Sequence, residues 1–580
     1  MVKIPSFYTP WTVLDEYRGK IFNDRWPTLP QMFALSANRF PNNIAFSAYE
    51  ESQNNKVLRA YNYAQGKELV DNIAGFLIEQ GVKKGDKLVV SGVNSLEWAI
   101  TFLAIMQAGA IAVPIDNGMG SEKALALSQR VGAKMLFCDH EKLAKGFDKA
   151  NLPTYSLTKD TANYVLNLSG TTKDFPPAGQ EDVAAILFTS GTTGNEKGVV
   201  LTHRALISDS YLVQGLIHVY SNDVFYVLLP IHHIYCMTAV FITALTGGAQ
   251  LLFTDKLAIT NILHDLKEGK VTCLLGVPML YNKVINGLIK NVRKRGPVVM
   301  ALVSGLMAVS GSIRARTGRP VGKKMPILKG ILAKASLSSL RVLISGGGPI
   351  AGATLTRYRQ LGLDMIQGYG LTETGPIITL NPPHAFKEGS VGRVLPETDI
   401  IILQPNEQGI GEIAVKGPMV FNGYYNDDET TAAAFTADGY FKTGDLGWKD
   451  SDNYVYLTGR AKNIIVTEGG KNVYPEEVED AFQLVSQFEQ LLVRGYMINE
   501  RLKIEDIEAV IYPSSDFIKD KTHKEVNKQL IALILEGNKK LQPYQQVRRI
   551  RVVNTPLELS STNKIKRFSA AKDAGTIIFG

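Results

Sequence analysis

The run of hydroxyl and glycine residues between Phe188 and Gly198 is the first place in the sequence where residue types suggest phosphate chemistry. It reads Phe188-Thr-Ser-Gly-Thr-Thr-Gly-Asn-Glu-Lys-Gly198 and follows an apolar stretch, Val183 to Phe188, that predicts a buried strand. Glycines let backbone amides approach phosphate oxygens, hydroxyls add donors, and lysine supplies charge. The order differs from the Walker P-loop, in which a glycine directly precedes the lysine. We predict a phosphate-binding loop before a helix near His203, formed by Thr189, Ser190, Gly191, Thr192, Thr193, Gly194 and Lys197.

A tyrosine set among glycines forms the second motif, Gln367-Gly-Tyr-Gly-Leu-Thr-Glu-Thr-Gly375. An aromatic ring beside glycines offers a stacking face for a base, and a nearby carboxylate can hold Mg²⁺ among phosphates. Another glycine run, Gly346-Gly-Gly-Pro349, follows a predicted strand. Because open α/β sheets bind ligands at the carboxyl ends of their strands, both runs are candidate parts of a nucleotide site.

Two further groups of motifs lie towards the carboxyl terminus. The first comprises Tyr440-Phe-Lys-Thr-Gly-Asp-Leu-Gly447, Gly459-Arg-Ala-Lys-Asn463 and a glycine-containing run from Glu468 to Glu479. The second is Leu559-Ser-Ser-Thr-Asn-Lys-Ile-Lys-Arg567. A carboxylate such as Asp445 can accept hydrogen bonds from both hydroxyls of a ribose. Taken alone, Asp445 fits a turn residue before a strand equally well.

In this order, the motifs resemble those of the adenylate-forming superfamily, which includes acyl-CoA synthetases, firefly luciferase and peptide-synthetase adenylation domains. They are most similar to AMP-forming long-chain fatty acyl-CoA synthetases, and the resemblance runs from about Thr28 to the last residues. Members usually have proline where Glu196 stands, a change that should loosen the loop. They usually have glycine where Asn563 stands, and asparagine tolerates the same left-handed backbone geometry.

The resemblance implies a nucleotide-binding role for the residues of the central motifs. Tyr369 would stack on adenine, Thr372 would contact the α-phosphate, and Glu373 would hold Mg²⁺. Asp445 would bind the ribose, with Arg460 nearby. The remaining members of the implied nucleotide site are Gly346, Gly347, Gly348, Gln367, Gly368 and Gly370.

The same resemblance implies roles in domain movement and in acyl transfer. Lys462 would be the hinge of a rotating small domain, and Gly470 would lie beside the pantetheine arm of coenzyme A. Lys564 would bridge the acyl carboxylate and the α-phosphate, with Lys566 as the competing choice. In the segment Leu229-Pro-Ile-His-His-Ile-Tyr235, His233 would shape the acyl pocket, with Met237 in the pocket wall.

Composition describes an ordinary globular protein, with 45% hydrophobic and 20% charged residues. The three cysteines form no CxxC pair and the eight histidines show no HExxH spacing, so we expect neither a disulfide scaffold nor a histidine-bound zinc. The amino terminus, Met1 to Phe7, is not apolar enough to predict a signal peptide. The net charge of +8 is compatible with anionic ligands or an anionic surface.

The order of elements predicts an α/β fold. Helix-like and strand-like stretches alternate from Tyr61 onward, which indicates parallel sheets covered by helices. After about Asn381 short strands and turns predict a small antiparallel sheet or barrel. We therefore expect a large amino-terminal adenylation domain, residues 1–459, made of two parallel-type α/β subdomains and a small distorted β-barrel. A smaller mobile α+β lid domain would follow at residues 460–580.

Two apolar segments raise the question of membrane contact. Ile234 to Phe253 is uncharged and close to the length of a membrane span, but its Gly247-Gly248 pair favours a buried helix followed by a strand. Gly296 to Gly311 is short, apolar and flanked by basic residues. Within residues 292–334 this pattern suits an anionic membrane surface or, equally, a solvated helical hairpin.

The implied function is ATP-dependent activation of a medium- or long-chain fatty acid as acyl-AMP, followed by transfer to coenzyme A. Mg²⁺ is the expected cofactor, with no nucleic acid partner, a cytoplasmic location, peripheral membrane contact and homodimer formation. The open alternatives are delivery to a carrier protein and CoA ligation of an aryl or short-chain acid. A luciferase-type oxygenase would be a rare specialisation. A non-catalytic relative is disfavoured by the joint presence of Lys197, Glu373, Asp445, Arg460 and Lys564.

Overall fold

The computed structural model describes most of the 580-residue chain. The described residues are 22–52, 55–144, 146–147, 151–190, 196–256, 258–467, 471–499, 504–559, 565–567 and 575–580. Within them the chain forms a large amino-terminal domain and a smaller carboxyl-terminal domain, both mixed α/β, as the sequence predicted.

The strands are numbered in chain order. Those of the first half are β1 (Ile44–Ser52), β2 (Asn55–Asn62), β3 (Lys87–Ser91), β4 (Ile111–Pro114), β5 (Met135–Cys138), β6 (Thr154–Ser156), β7 (Val183–Ser190), β8 (Glu196–Thr202), β9 (Val224–Val227), β10 (Gln250–Phe253) and β11 (Cys273–Gly276). Those of the second half are β12 (Val342–Ser345), β13 (Asp364–Tyr369), β14 (Thr379–Leu380), β15 (Gly392–Val394), β16 (Asp399–Leu403), β17 (Gly411–Lys416), β18 (Phe441–Lys449), β19 (Tyr454–Arg460), β20 (Ile465–Val466), β21 (Asn472–Val473), β22 (Phe488–Asn499), β23 (Ile504–Pro513), β24 (Arg549–Val552) and β25 (Thr576–Phe579).

The helices follow the same convention. They are α1 (Leu29–Arg39), α2 (Tyr63–Glu79), α3 (Leu96–Gln107), α4 (Ser121–Arg130), α5 (His140–Ala144), α6 (His203–Leu212), α7 (Ile234–Thr246), α8 (Ile259–Glu268), α9 (Pro278–Arg293), α10 (Pro297–Thr317), α11 (Pro326–Lys334), α12 (Gly352–Gln360), α13 (Asp428–Ala434), α14 (Pro475–Asp480), α15 (Ser515–Ile518) and α16 (His523–Asn538).

A thirteen-stranded sheet forms the centre of the amino-terminal domain, in the order β16-β17-β18-β19-β15-β14-β13-β12-β11-β9-β10-β1-β2. Its middle is parallel, from β1 to β13, and its pairings from β13 to β16 are antiparallel. The short strands that the sequence assigned to a separate barrel are therefore a continuation of the large sheet, joined to it by Gly368 opposite Leu380.

A six-stranded sheet, β6-β5-β3-β4-β7-β8, forms the second α/β layer. It is parallel except for β8, which runs antiparallel to β7. Helix α2 shows why such elements pack: Asn62 and Gln65 form a capping box, and Val70, Ile73 and Leu77 recur at helical spacing on the buried face.

The carboxyl-terminal residues have their own hydrophobic core. It includes Val478, Phe482, Ile507, Leu530 and Ile550 and lies under the four-stranded sheet β22-β23-β24-β25. A separate core is what an independent domain requires. The boundary at residue 459 stays a prediction.

The two apolar segments fold differently. Ile234 to Phe253 forms α7 and β10, and both are buried, as the sequence predicted. The other segment forms the first part of α10, which is long and apolar enough to cross a membrane by length and composition, and only 22% of its most apolar window is buried.

Candidate active site

A cleft of about 2440 Å³ between the two domains brings together most of the residues that the motifs singled out. Its lining includes Thr189, Lys197, His233, Gly346, Gly347, Gly348, Gln367, Gly368, Tyr369, Gly370, Thr372, Glu373, Asp445, Arg460 and Lys462. Ser190 is the last residue of β7. The predicted residues Gly191, Thr192, Thr193, Gly194, Gly470 and Lys564 lie outside the described residues.

The stem of the hydroxyl-rich motif is a β-hairpin, not the strand, loop and helix that the sequence predicted. Strand β7 continues to Ser190, and the chain returns as β8 with Thr189 opposite Lys197. Helix α6 begins only after β8, at His203. The antiparallel pairing fixes the position of Lys197 in the sheet, so its side chain enters the cleft from a strand.

Glu196, which we expected to loosen the loop, is held where the loop joins the start of β8. Its carboxylate pairs with Lys123, and its backbone carbonyl accepts a hydrogen bond from the Arg130 guanidinium at 2.8 Å. The side chain of Glu196 is only 10% exposed. These contacts anchor one end of the loop on helix α4.

Lys197, Tyr424 and Glu373 form a connected group in the cleft. The Lys197 ammonium lies 5.0 Å from the centre of the Tyr424 ring, and the Tyr424 hydroxyl donates to Glu373 Oε1 at 2.9 Å. Burial, and then the Glu373 carboxylate, raise the pKa of Tyr424, so its hydroxyl stays a donor. Tyr424 was missed by the sequence analysis. Its signal was the turn-forming Asn422-Gly423 pair placed directly before two tyrosines.

Tyr369, Asp445 and Arg460 form a second group. The Tyr369 hydroxyl donates to Asp445 Oδ2 at 2.7 Å, and Arg460 Nε donates to Asp445 Oδ1 at 3.0 Å. Burial raises the pKa of Tyr369 strongly, and the Asp445 carboxylate raises it further. Asp445 also raises the pKa of Arg460. A carboxylate has about four acceptor sites, so Asp445 retains acceptor capacity for the hydroxyls of a ligand.

Two glycines are required by close approach of the chain to itself. A β-carbon at Gly346 would lie 2.8 Å from the Tyr235 ring, and one at Gly370 would lie 1.8 Å from the carbonyl oxygen of Pro376. Real β-carbon contacts are longer, so a side chain at Gly370 would displace the backbone beside Tyr369. These glycines therefore allow the backbone segments that line the cleft to pack closely beside Tyr369.

The cleft also has a mostly apolar part, called here the apolar recess, which includes side chains of helix α7. Its walls are formed by Val213, Ile217, Phe225, Ala239, Thr243 and Ile377. His233 caps helix α7, with Nδ1 accepting from the backbone amide of Tyr235 at 3.4 Å. Met237 is fully buried, whereas Ala239 and Thr243 of the same helix line the recess, and the place of Met237 in the pocket wall stays a prediction.

The carboxyl-terminal domain supplies the opposite wall. Two exposed contacts cross the cleft, from Lys283 to Glu489 at 3.0 Å and from Gln483 to the carbonyl of Pro349 at 3.2 Å. Lys566 also lines the cleft and pairs with Glu558 at 2.5 Å. Such surface contacts are individually weak, so they hold the domain in place with little free energy.

Arg567 connects the chain terminus to helix α14. Its guanidinium pairs with Glu479 at 2.6 Å and donates to the Val493 carbonyl at 2.8 Å. Burial raises the pKa of Glu479 to about 7, in spite of the opposing effect of Arg567. This pair fixes the last described segment before residue 575 against the small domain.

Magnesium, if bound, would need ligands beyond the protein. No group of three or more His, Cys, Asp or Glu side chains within the described ranges could hold a metal by itself. Glu373 nevertheless presents a hard carboxylate to the cleft, oriented by Tyr424. Mg²⁺ is commonly held by one or two carboxylates together with substrate phosphates, and this donor set fits that pattern.

Comparison with known proteins identifies relatives that span most of the chain. The long-chain-fatty-acid–CoA ligase FadD15 of Mycobacterium tuberculosis is 30% identical over 446 residues, which cover 72% of each protein. The chloroplastic long-chain-fatty-acid–[acyl-carrier-protein] ligase AEE15 of Arabidopsis thaliana is 25% identical and covers 88% of this chain and 80% of its own. ATP-bound MatB from Rhodopseudomonas palustris has a similar fold, with a TM-score of 0.71 at 24% identity, over 93% of this chain and 98% of MatB.

A family model described as AMP-binding enzyme matches residues 33–425. This range contains the hydroxyl-rich hairpin, the glycine run after β12 and the motif around Tyr369, all of which contribute residues to the cleft. The resemblance inferred from the motifs is confirmed. The chain belongs to the family of AMP-binding enzymes.

Proposed function

We propose that the protein is an ATP-dependent acid–thiol ligase that converts a medium- or long-chain fatty acid into acyl-AMP and then into acyl-CoA. The observation that carries the proposal is the composition of one cleft. Its lining includes the polar residues Lys197, Glu373 and Asp445 together with the apolar recess, part of which lies on the helix that His233 caps. A nucleotide and an apolar acid can therefore meet in one place.

In the first step, a carboxylate oxygen of the acid attacks the α-phosphorus of ATP. A bond forms between this oxygen and the α-phosphorus, and the bond from the α-phosphorus to the bridging oxygen of pyrophosphate breaks. Pyrophosphate leaves, and the product is acyl-AMP. The protein's contribution is positioning and charge compensation. Thr189 and Lys197 would hold phosphates and Thr372 the α-phosphate. Asp445 would accept hydrogen bonds from the ribose.

The adenine would bind between Tyr369 and the glycine run after β12. The described geometry supports this assignment, because Gly346, Gly347, Gly348, Gln367, Gly368 and Gly370 all line the same cleft. Small residues on both sides leave room for a planar base. Glu373 would hold Mg²⁺, which would neutralise phosphate charge as pyrophosphate departs.

In the second step, the thiol of coenzyme A attacks the acyl carbon, a thioester forms and AMP leaves. We propose that the small domain rotates between the two steps about Lys462. This residue lies in a single helical turn, Ala461–Asn463, between the end of the large sheet and β20. Lys564 would serve only the first arrangement, and Gly470 would lie beside the pantetheine arm in the second.

The experiment that tests this function measures CoA-dependent AMP release with Mg²⁺-ATP across acids from acetate to oleate, including aryl acids. We expect a maximum at medium or long aliphatic chains. A maximum with an aryl or short-chain acid would overturn the substrate class, and absence of AMP release with every acid would overturn the ligase.

Lys564→Ala tests the assignment of the adenylation lysine, with Lys566→Ala as the matched control. We expect Lys564→Ala to abolish acyl-AMP formation and to spare thioester formation from supplied acyl-AMP. Lys566 already pairs with Glu558, so its loss should leave adenylation largely intact. Equal loss of both half-reactions in Lys564→Ala, or loss of adenylation only in Lys566→Ala, would refute the assignment.

A carrier protein is the second candidate acceptor. The similarity to the acyl-carrier-protein ligase AEE15 covers 88% of this chain, which is why this acceptor stays open. Acid-dependent pyrophosphate exchange without CoA-dependent turnover, together with acylation of a carrier protein, would favour it. A cytoplasmic location, homodimer formation and peripheral membrane contact complete the proposal, the last because an exposed apolar helix begins four residues after Arg293, which lines the cleft.

A further inference from the structure

Positive charge is concentrated in one part of the chain. Residues 269–363 contain 16 Lys and Arg residues and no Asp or Glu. The rest of the chain has 47 basic and 55 acidic residues and is therefore net negative. The excess positive charge of the whole protein comes from this acid-free segment, which contains helices α9 to α12.

Within that segment, most of the basic side chains are exposed around helix α10. The exposed members nearest to its ends are Arg293, Lys294, Arg295, Arg316, Arg319, Lys324, Lys329 and Lys334. No acidic side chain of the segment is available to compensate them. The result is a local positive surface that should attract polyanionic partners.

Helix α10 itself is uncharged from Pro297 to Ile313 and contacts the domain by a narrow stripe. Val303, Met307, Ser310 and Arg314 are the buried residues, at helical spacing. A second face, to one side of the buried stripe, is apolar and exposed: Val298 is 79% exposed, Leu302 and Val309 51% each, and Ile313 37%. Ile327 on α11 adds a further apolar side chain, 44% exposed. Single exposed apolar residues are ordinary, but a continuous apolar helix face marks an interaction surface.

The helix is fixed to the domain at its carboxyl end. The buried Arg314 guanidinium donates to the Leu363 carbonyl at 3.2 Å and pairs with the Asp364 carboxylate. Breaking a buried ion pair leaves an unpaired charge and is costly. Helix α10 should therefore remain attached to the domain, with its apolar face outward, when that face meets a partner.

The cleft reaches the same surface. Lys290 and Arg293, at the end of helix α9, line the cleft, and residues 294–296 connect them directly to α10. The apolar face, the basic residues around it and one mouth of the cleft are thus adjacent along the chain. Lys290 and Arg293 are exposed cations at this mouth.

We propose that α10 docks the protein on an anionic lipid bilayer, with the helix in the membrane plane and its apolar face among the acyl chains. The basic residues at both ends of the helix would contact lipid headgroups. Lys290 and Arg293 would then receive the carboxylate of a fatty acid that leaves the leaflet. This last part rests on the proposed function.

Charge argues for a membrane over a second copy of the chain. Self-association through this face would bring two acid-free, strongly basic surfaces together, and like charges in contact oppose binding. An anionic bilayer offers the complementary charge and an apolar interior. An in-plane helix with a polar boundary of Lys and Arg is the usual form of such docking.

The first experiment measures binding of the full-length protein to vesicles of phosphatidylcholine with phosphatidylglycerol. We expect binding that increases with phosphatidylglycerol content and weakens with salt. Leu302→Glu/Val309→Glu should weaken vesicle binding at least about tenfold, because two half-exposed apolar side chains lose their burial in the bilayer. The control Val57→Glu/Ile577→Glu adds the same charge at exposed apolar positions outside the segment and should bind as the unchanged protein does.

Equal vesicle binding by both double variants would overturn the docking surface. A wild-type dimer in solution that Leu302→Glu/Val309→Glu converts to a monomer, without loss of vesicle binding, would assign the face to self-association instead. Circular dichroism of the variant checks that it is folded. Lys324→Glu/Lys329→Glu provides a second test, since it should lower binding and reduce its salt dependence without altering α10.

The second experiment compares AMP release with oleate loaded in anionic vesicles and with water-soluble octanoate. We expect Lys290→Gln/Arg293→Gln to lower the rate about tenfold or more with vesicle oleate, and much less with octanoate. Equal losses with the two acids would overturn the delivery role of Lys290 and Arg293. Absence of activity of the unchanged protein with both acids would refute the proposed function and leave the vesicle-binding result unaffected.

Discussion

The Tyr424 hydroxyl offers a sharp test of the cleft geometry, because one atom can be removed without changing the ring. In Tyr424→Phe the ring would stay 5.0 Å from the Lys197 ammonium. The hydrogen bond to Glu373 Oε1, 2.9 Å long, would be lost. If Glu373 holds Mg²⁺ beside the phosphates, its orientation should then be less well fixed.

The expected size of the effect of Tyr424→Phe follows from the type of hydrogen bond that is lost. A hydrogen bond to a charged group contributes about 1.5–3 kcal/mol, and loss of a group that orients a metal ligand typically costs about 10- to 100-fold in metal affinity or activity. One factor of ten corresponds to about 1.4 kcal/mol, so the two ranges agree. We expect kcat/KM for Mg²⁺-ATP to fall about 10- to 100-fold in Tyr424→Phe.

The assay is acid-dependent pyrophosphate exchange over a range of Mg²⁺ concentrations, so that adenylation is measured without coenzyme A. The concentration of Mg²⁺ for half-maximal rate should rise in Tyr424→Phe. Tyr425→Phe is the control, because Tyr425 packs against Gly198 on the neighbouring apolar layer. Unchanged Mg²⁺ dependence in Tyr424→Phe, or an equal defect in Tyr425→Phe, would refute the reasoning.

Three other outcomes are expected. Asp445→Asn should weaken AMP binding about tenfold in calorimetry, since it removes a charged acceptor, and an unchanged Kd would argue against ribose contact. Gly370→Ala should lower the free energy of unfolding by about 1–3 kcal/mol or more, and with it the melting temperature, because the new β-carbon would overlap the Pro376 carbonyl. Gly305→Ala, whose β-carbon would enter open space, should not lower the melting temperature. Burial lowers the pKa of His203 to about 4 from 6.5, so the unfolded chain binds its proton first as pH falls. The free energy of unfolding should therefore drop by about 1.4 kcal/mol between pH 7.5 and 5.5 because of this residue, and His203→Gln should remove that part of the pH dependence. Identical pH dependence of denaturant unfolding in the variant and the unchanged protein would contradict this account of His203.

Local patterns were sufficient for the elements with strong periodicity or short apolar runs. The apolar run from Val183 to Phe188 lies in β7, which begins at Val183, and the uncharged run from Ile234 to Phe253 forms helix α7 and strand β10. Strand β8 was missed because Val199, Val200 and Leu201 follow a run of glycine and hydroxyl residues that reads as loop. Its partner is β7, and that pairing is decided by tertiary contacts.

The sequence indicated which residues belong to the site, but it did not show how their side chains contact one another. The motif residues of the described ranges do converge on one cleft, but residue type alone did not show that the Tyr369 hydroxyl would contact Asp445. Met237 begins a π-helical stretch of helix α7, Met237–Ile242, so a spacing of 3.6 residues does not fix which of its side chains meet the cleft. In that stretch Ala239 lines the recess, and the role of Met237 in the pocket wall stays a prediction.

The contact between Tyr369 and Asp445 also determines the curvature of the large sheet. Tyr369 lies on β13 and Asp445 on β18, and β14, β15 and β19 lie between them. Four strand-to-strand steps would separate β13 from β18 by about 19 Å in a flat sheet, well beyond the reach of one tyrosine. The 2.7 Å hydrogen bond therefore requires the antiparallel end of the sheet to bend back over the parallel part. The distance between Tyr369 and Asp445, the groups proposed to bind the base and the ribose, is consequently set by the radius of that bend. Glycines such as Gly392 contribute to the bend because they allow neighbouring strands to approach.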